Sequence, residues 1–155
     1  MSVTILGKEY PIATTTVLDL SNNNLIEMPE SIGSLSNLNK LFLHDNNLTS
    51  LLESIESLSN LQILYLSYNK LTSLPESIGS LSNLKELYLS NNNLTSLSES
   101  IGGLYNLQRL YLHDNNLTSL PESIATLTKI KYLNLNESSY EINNLSMDCH
   151  TYLNY

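Results

Sequence analysis

The sequence predicts an α/β repeat: a solenoid with a parallel β-sheet on its concave face and irregular or 3₁₀ turns on its convex face. Three observations carry that prediction. The chain matches itself at multiples of 23 residues, so that Leu38 to Thr49 aligns with Leu84 to Thr95 two units on, and units begin at Thr15, Leu38, Leu61, Leu84, Leu107 and Ile130 without an insertion. Within a unit numbered 1 to 23, apolar residues occupy positions 1, 4, 6, 11, 14, 18 and 21; in the third unit these are Leu61, Leu64, Leu66, Leu71, Leu74, Ile78 and Leu81. The alternation at 4 and 6 is the period of a short strand, and the later steps of three or four suit loosely helical or 3₁₀ turns. Finally, 34 Leu, 23 Ser and 21 Asn make up about half of the 155 residues, a composition too regular for an average enzyme.

Taken in order, Val3 to Leu6, then Gly7-Lys8, then Glu9 to Ile12 read as strand, tight turn, strand. A hairpin over residues 1–14 is therefore expected to cap the first coil, since an open solenoid exposes sheet edge and core. Residues 15–137 form five full units and a partial sixth, all within a single domain, 1–155. The pattern then fails, with Ser138 in place of the unit's Asn and Tyr140 in place of the next Leu. Residues 138–155 either fold over the last coil through Tyr140, Ile142, Leu145, Met147, Tyr152 and Leu153, or fray.

Position 9 holds Asn23, Asn46, Asn69, Asn92 and Asn115, where the chain leaves the strand among leucines. A buried amide must be hydrogen-bonded, and Asn both donates and accepts, so these residues are expected to form a structural ladder between coils. Pro29, Pro75 and Pro121 suit the outer return, where a fixed φ helps and no ladder N–H is needed; Leu52 and Ser98 stand in the equivalent places of two units. Glu30, Glu53, Glu76, Glu99 and Glu122 share position 16 on that return and read most simply as a solvated flank.

The unit pattern L-x-x-L-x-L-x-x-N-x-L-x-x-L-P-x-S-I-x-x-L-x-N resembles the leucine-rich repeat. The 23-residue length with Leu-Pro-Glu-Ser-Ile is similar to the intracellular subclass of Ras-suppressor scaffolds and plant Ras-group proteins. That resemblance covers residues 15 to about 137. It implies a right-handed curved leucine-rich-repeat solenoid whose usual ligands are proteins.

With 4 and 6 buried, positions 3, 5 and 7 face the concave surface. Down position 5 run Asp19, Phe42, Tyr65, Tyr88, Tyr111 and Asn134, with Tyr68 and Tyr132 beside the column. At about 4.8 Å per strand, Phe42 to Tyr111 makes an exposed aromatic stripe roughly 14 Å long. Tyrosine is enriched at protein interfaces, so this stripe is the sharpest functional signal; the alternative is that cross-strand aromatic neighbours merely stabilise the sheet. Lys40, Lys85, Arg109 and Lys131 add positive charge to the same face, and Asp19, Asp45, Glu86, Asp114 and Glu137 add negative. His44-Asp45 and His113-Asp114 recur at positions 7 and 8, three strands or roughly 14 Å apart, too far to share one metal ion. Ser90 lies one strand from His113, but an open surface without oxyanion donors does not suit catalysis, so the histidines read as polar contacts of a binding site.

A net charge of −8, from 7 Lys plus Arg against 15 Asp plus Glu, disfavours nucleic acid, and no stretch is long and apolar enough to span a membrane. The lone Cys149 cannot form an internal disulfide, and the first residues lack the apolar run of a signal peptide, so a reducing, cytoplasmic setting is expected. The Asn-x-Ser/Thr matches at Asn47, Asn93 and Asn116 fall out of the repeat and are not expected to be glycosylated there. The sequence thus points to a monomeric, non-enzymatic protein without cofactor or metal that binds another protein, as an intracellular adaptor or scaffold. The expected binding residues are Lys40, Phe42, His44, Tyr65, Tyr68, Tyr88, Arg109, Tyr111, His113 and Tyr132. The alternatives are an effector of an intracellular parasite or virus that mimics host scaffolds, and a self-assembling structural repeat.

Overall fold

A computed structural model describes residues 1–135. Strands β1 (Ser2–Ile5) and β2 (Lys8–Pro11) pair antiparallel, and β3 (Val17–Asp19), β4 (Lys40–Phe42), β5 (Ile63–Tyr65), β6 (Glu86–Tyr88), β7 (Arg109–Tyr111) and β8 (Tyr132–Asn134) form one parallel sheet in chain order. Every parallel pairing joins a residue to the one 23 positions later, as in Leu41 with Leu64 and Leu64 with Leu87. The periodicity of the sequence is thus also the register of the sheet. Strands β3 to β7 are each followed by a return containing a five-residue 3₁₀ helix: Glu30–Ser34, Glu53–Ser57, Glu76–Ser80, Glu99–Gly103 and Glu122–Thr126. Strands in the sheet are only three residues long because the Asn turn begins almost at once after the inward-facing Leu of position 6. The segment expected to cap or fray, 138–155, lies outside the described residues, as do 136 and 137 of the sixth unit.

The inward leucines fill the coil. Leu41, Leu64, Leu87 and Leu110, the central residues of four successive strands, have no exposed surface, and neither do Leu48, Leu71 and Leu94 at position 11. Burying each such side chain stabilises the fold by about 1.5–3 kcal/mol. The replacement of Pro by Leu52 and Ser98 leaves the turn intact: both keep the extended conformation, at φ −81° and −70°, and Ser98 Oγ accepts the Ser100 N–H at the helix start. Among the N-terminal elements, the hairpin turn falls one residue earlier than the sequence suggested. Leu6 and Gly7, at φ 50° and 77°, form the two-residue loop, with Ile5 opposite Lys8. The reason is facial: this register buries Ile5 in the core and leaves Leu6 exposed, and a one-residue slip would exchange them.

Hydrogen bonds tie coil to coil at three columns. At position 9, Asn69 Nδ2 donates to Leu43 O of the preceding coil at 2.9 Å and to Leu66 O of its own at 3.0 Å, while its Oδ1 accepts Leu48 N–H at 3.0 Å. Asn46, Asn92 and Asn115 repeat the arrangement. Asn23 departs from the expected ladder: it has no preceding unit to bond, is exposed, and its amide turns back to Ser21 O at 2.8 Å. A second asparagine column, at position 23, links the other corner: Asn37, Asn60, Asn83 and Asn106 donate to Ala13, Ser36, Ser59 and Ser82 carbonyls at 2.8–3.1 Å. The glutamates of position 16 also do more than solvate a flank. Glu53 accepts from Ser77 N–H, Glu76 from Ser98 Oγ, and Glu99 from the N–H groups of Glu122 and Ser123, each meeting the start of the next coil's 3₁₀ helix. The Ser123 hydrogen bond, before any other cause, holds the Glu99 carboxyl below the usual glutamate range.

Replacing Asn69 with Ala strands a buried N–H and two buried carbonyls, so urea denaturation is expected to show a loss of about 3 kcal/mol. Asn23→Ala, at an exposed turn, is expected to change stability by less than about 0.5 kcal/mol; equal losses for the two variants would refute the assignment.

Candidate protein-binding face

The concave surface is built from four parallel columns whose members sit on successive strands, so each column inherits the 23-residue register. Position 3, the first strand residue, gives Lys40, Ile63, Glu86, Arg109 and Tyr132. Position 5, the last, gives Phe42, Tyr65, Tyr88 and Tyr111. Position 7 gives His44, Ser67, Ser90 and His113, and position 8 gives Asp45, Tyr68, Asn91 and Asp114.

The aromatic column is more buried than an exposed stripe. Tyr65 and Tyr88 stack at 3.7 Å between ring centroids with 12° between planes, and Tyr88 and Tyr111 at 4.6 Å and 7°. Phe42 tilts against Tyr65 at 5.8 Å, and Tyr132 against Tyr111 at 5.0 Å. In-register strands about 4.8 Å apart place identical side chains at stacking distance, so the rings occupy one another's faces and offer their edges outward. The tyrosines therefore both brace the sheet and form one wall of the surface. Tyr88 is fixed further: its hydroxyl donates to Glu86 Oε2 at 2.6 Å, and Glu86 Oε1 meets Arg109 Nη1 at 2.5 Å. Burial first, and the Glu86 hydrogen bond second, push the Tyr88 phenol far above the usual tyrosine range. Burial likewise raises Tyr111.

The predicted basic residues divide. Arg109 is engaged by Glu86, and Lys85 Nζ donates to Gln62 Oε1 at 3.0 Å, whereas Lys40 is exposed at the start of β4. Cations on this face stand at positions 2 and 3, on one side of the aromatic wall. Asp45 and Asp114 stand on the other, at position 8. His44 Nδ1 lies 2.6 Å from Asp45 Oδ2, and His113 Nδ1 lies 2.8 Å from Asp114 Oδ2. Because a carboxylate only accepts, each imidazole presents Nδ1–H to its aspartate.

Between the two histidines the side chains shrink to Ser67 and Ser90, and the surface sinks into an open hollow of about 400 Å³. Tyr65, Tyr88 and Tyr111 wall one side; Tyr68 and Asn91 wall the other. Sequence reasoning found the His-Asp pairs but not this hollow, which comes from small residues at position 7 of the two units between them. Ser90 Oγ is buried without a hydrogen-bond partner, so no Ser90-His113 pair exists. Among the described residues no three or more His, Cys, Asp or Glu cluster in a way that would hold a metal ion.

Position 8 carries a further signal. Asn22, Asp45, Tyr68, Asn91 and Asp114 all adopt left-handed backbone, with φ between 55° and 58°. Asn and Asp tolerate that conformation and Tyr does not, so Tyr68 carries a cost of about 1–2 kcal/mol that its neighbours in the column avoid. Its ring is 57% exposed over the hollow.

A family profile described as leucine rich repeat matches residues 13–71, 36–94, 59–117 and 82–139, together most of the chain. The chain belongs to the leucine-rich repeat family. A solved leucine-rich repeat protein of Leptospira interrogans is similar, at 40% identity and a TM-score of 0.70, over 81% of this chain. This chain spans 38% of the length of that structure. No curated protein matches it. Leucine-rich repeat domains generally mediate protein–protein interaction and are typically non-enzymatic, and no helix among the described residues is long and apolar enough to cross a membrane.

Because the folded leucine-rich repeat holds the Tyr88 proton above the usual value of 10, whereas the unfolded chain releases it there, this group's contribution to stability is complete below pH 10 and declines above it. Chemical denaturation across that range is expected to show a shallower alkaline loss for Tyr88→Phe than for the parent; identical slopes would contradict the assignment.

Proposed function

We propose that this chain is a non-enzymatic binding module that takes another protein on its concave face, acting as a cytoplasmic, monomeric adaptor or scaffold of the Ras-suppressor type. The hollow between His44 and His113 is the observation that carries this reading. It interrupts a regular surface with aromatic edges, imidazole nitrogens and carboxylates, a mixture that fixes orientation by hydrogen bonds and supplies apolar contact at low rotamer cost. The stacked tyrosines give it a rigid wall, so little ordering is required on binding. Phe42, Lys40 and Arg109 lie further along the same face as rim contacts, and Tyr132 borders it at β8.

The binding reading is tested by quantitative pull-down from cytosol with the parent, a Tyr68→Asn, His44→Ala, His113→Ala triple variant, and a Tyr105→Ala control on the return segment. The triple variant is expected to recover partners at least about tenfold less well, and the control to match the parent. Equal recovery by all three proteins would remove the concave face from the function. Light scattering on the same samples separates a binding module from a self-assembling repeat, which would grow in size with concentration.

A further inference from the structure

The chemistry of the hollow names the kind of segment that fits it. His44 and Asp45 line one end and His113, paired with Asp114 beyond it, lines the other, and no Lys or Arg lines it, the cations of this face lying beyond the tyrosine wall. A carboxylate thus stands at one end and beside the other, so the hollow is complementary to positive groups. Two further features point to a ligand. Ser90 is 3% exposed and lines the hollow, yet its hydroxyl has no hydrogen-bond partner. Tyr68 projects a largely exposed ring over the same space from a backbone conformation that tyrosine disfavours, at the position where every other described unit through the fifth places Asn or Asp. A strained residue with an unoccupied aromatic face beside carboxylates suits a cation held over the ring.

Geometry then sets the spacing. Asp45 and Asp114 are three strands apart, roughly 14 Å. An extended chain rises about 3.4 Å per residue, so residues i and i+4 are separated by nearly the same distance and point to the same side. We infer that the hollow receives an extended segment of the partner protein, lying along the solenoid axis, with Lys or Arg at i and i+4 set against Asp45 and Asp114. The side chain at i+2 points to the floor, where a hydroxyl or amide meets Ser90, and the cation nearer Asp45 packs on the Tyr68 ring. This rests on the binding reading above and specifies its ligand.

The test is selection of a displayed library of random peptides on the immobilised chain, followed by anisotropy measurements with labelled Gly-Arg-Ala-Ser-Ala-Arg-Gly and a counterpart whose arginines stand two apart. Enrichment of basic residues at i and i+4 is expected, with tighter binding of the first peptide that weakens as salt rises. Asp45→Asn with Asp114→Asn keeps a residue type already found at position 8 and is expected to weaken that peptide about tenfold. Tyr68→Asn is expected to weaken binding and to raise the melting temperature by a few degrees, a combination a purely structural tyrosine would not give. Acidic or apolar selected peptides that Tyr68→Asn still abolishes would overturn the dibasic ligand and leave the concave face as the site. Equal affinity for both arginine spacings would overturn the geometry. Selected peptides indifferent to every concave substitution would overturn both readings.

Discussion

One interaction sets the rest of this molecule: the amide of an asparagine bonded at once to its own coil, to the coil before it, and to a backbone N–H across the turn. Asn69 between Leu43 O, Leu66 O and Leu48 N–H is the central case. Leucine packing alone drives coils together but is indifferent to small slips, because one leucine row resembles the next. The amide is not indifferent, since a slip leaves three buried polar groups unpaired. The hydrophobic effect therefore supplies the attraction between coils, and the asparagines fix the register. The position-23 asparagines and the position-16 glutamates repeat that logic at the other corners of the coil.

Register is what makes a surface. Once each residue sits beside the one 23 positions on, any side chain repeated in the sequence becomes a column in space. Repetition of aromatic residues at position 5 yields a stacked wall rather than scattered rings, and the change from His to Ser and back at position 7 yields a hollow with matched ends. Specificity in such a frame is written by departures from the repeat, and Tyr68 is the clearest departure because it breaks a backbone preference its column otherwise obeys.

Most of the fold was legible from the sequence because it follows from periodicity: the strands, the 3₁₀ returns, the parallel order and the inward leucines. The hairpin was legible but its turn was displaced by one residue, since Leu6-Gly7 and Gly7-Lys8 look alike until the burial of Ile5 selects between them. The glutamate column was misjudged as solvation alone, because a sequence does not show that one return ends against the next helix start. Of the site, the columns were legible and the relief was not. Ring stacking depends on side-chain angle, and the left-handed turn at position 8 is visible only in retrospect, as a run of Asn and Asp broken once by Tyr68.

Amide hydrogen exchange measures the register bond directly. If the asparagine ladder holds the coils, the amides of Leu48, Leu71 and Leu94, which donate to Asn69, Asn92 and Asn115, exchange as slowly as the strand amides although they lie in turns. Fast exchange at these three leucines in the intact protein would contradict the account, because the amides would then be open to water and the coils held by apolar packing alone.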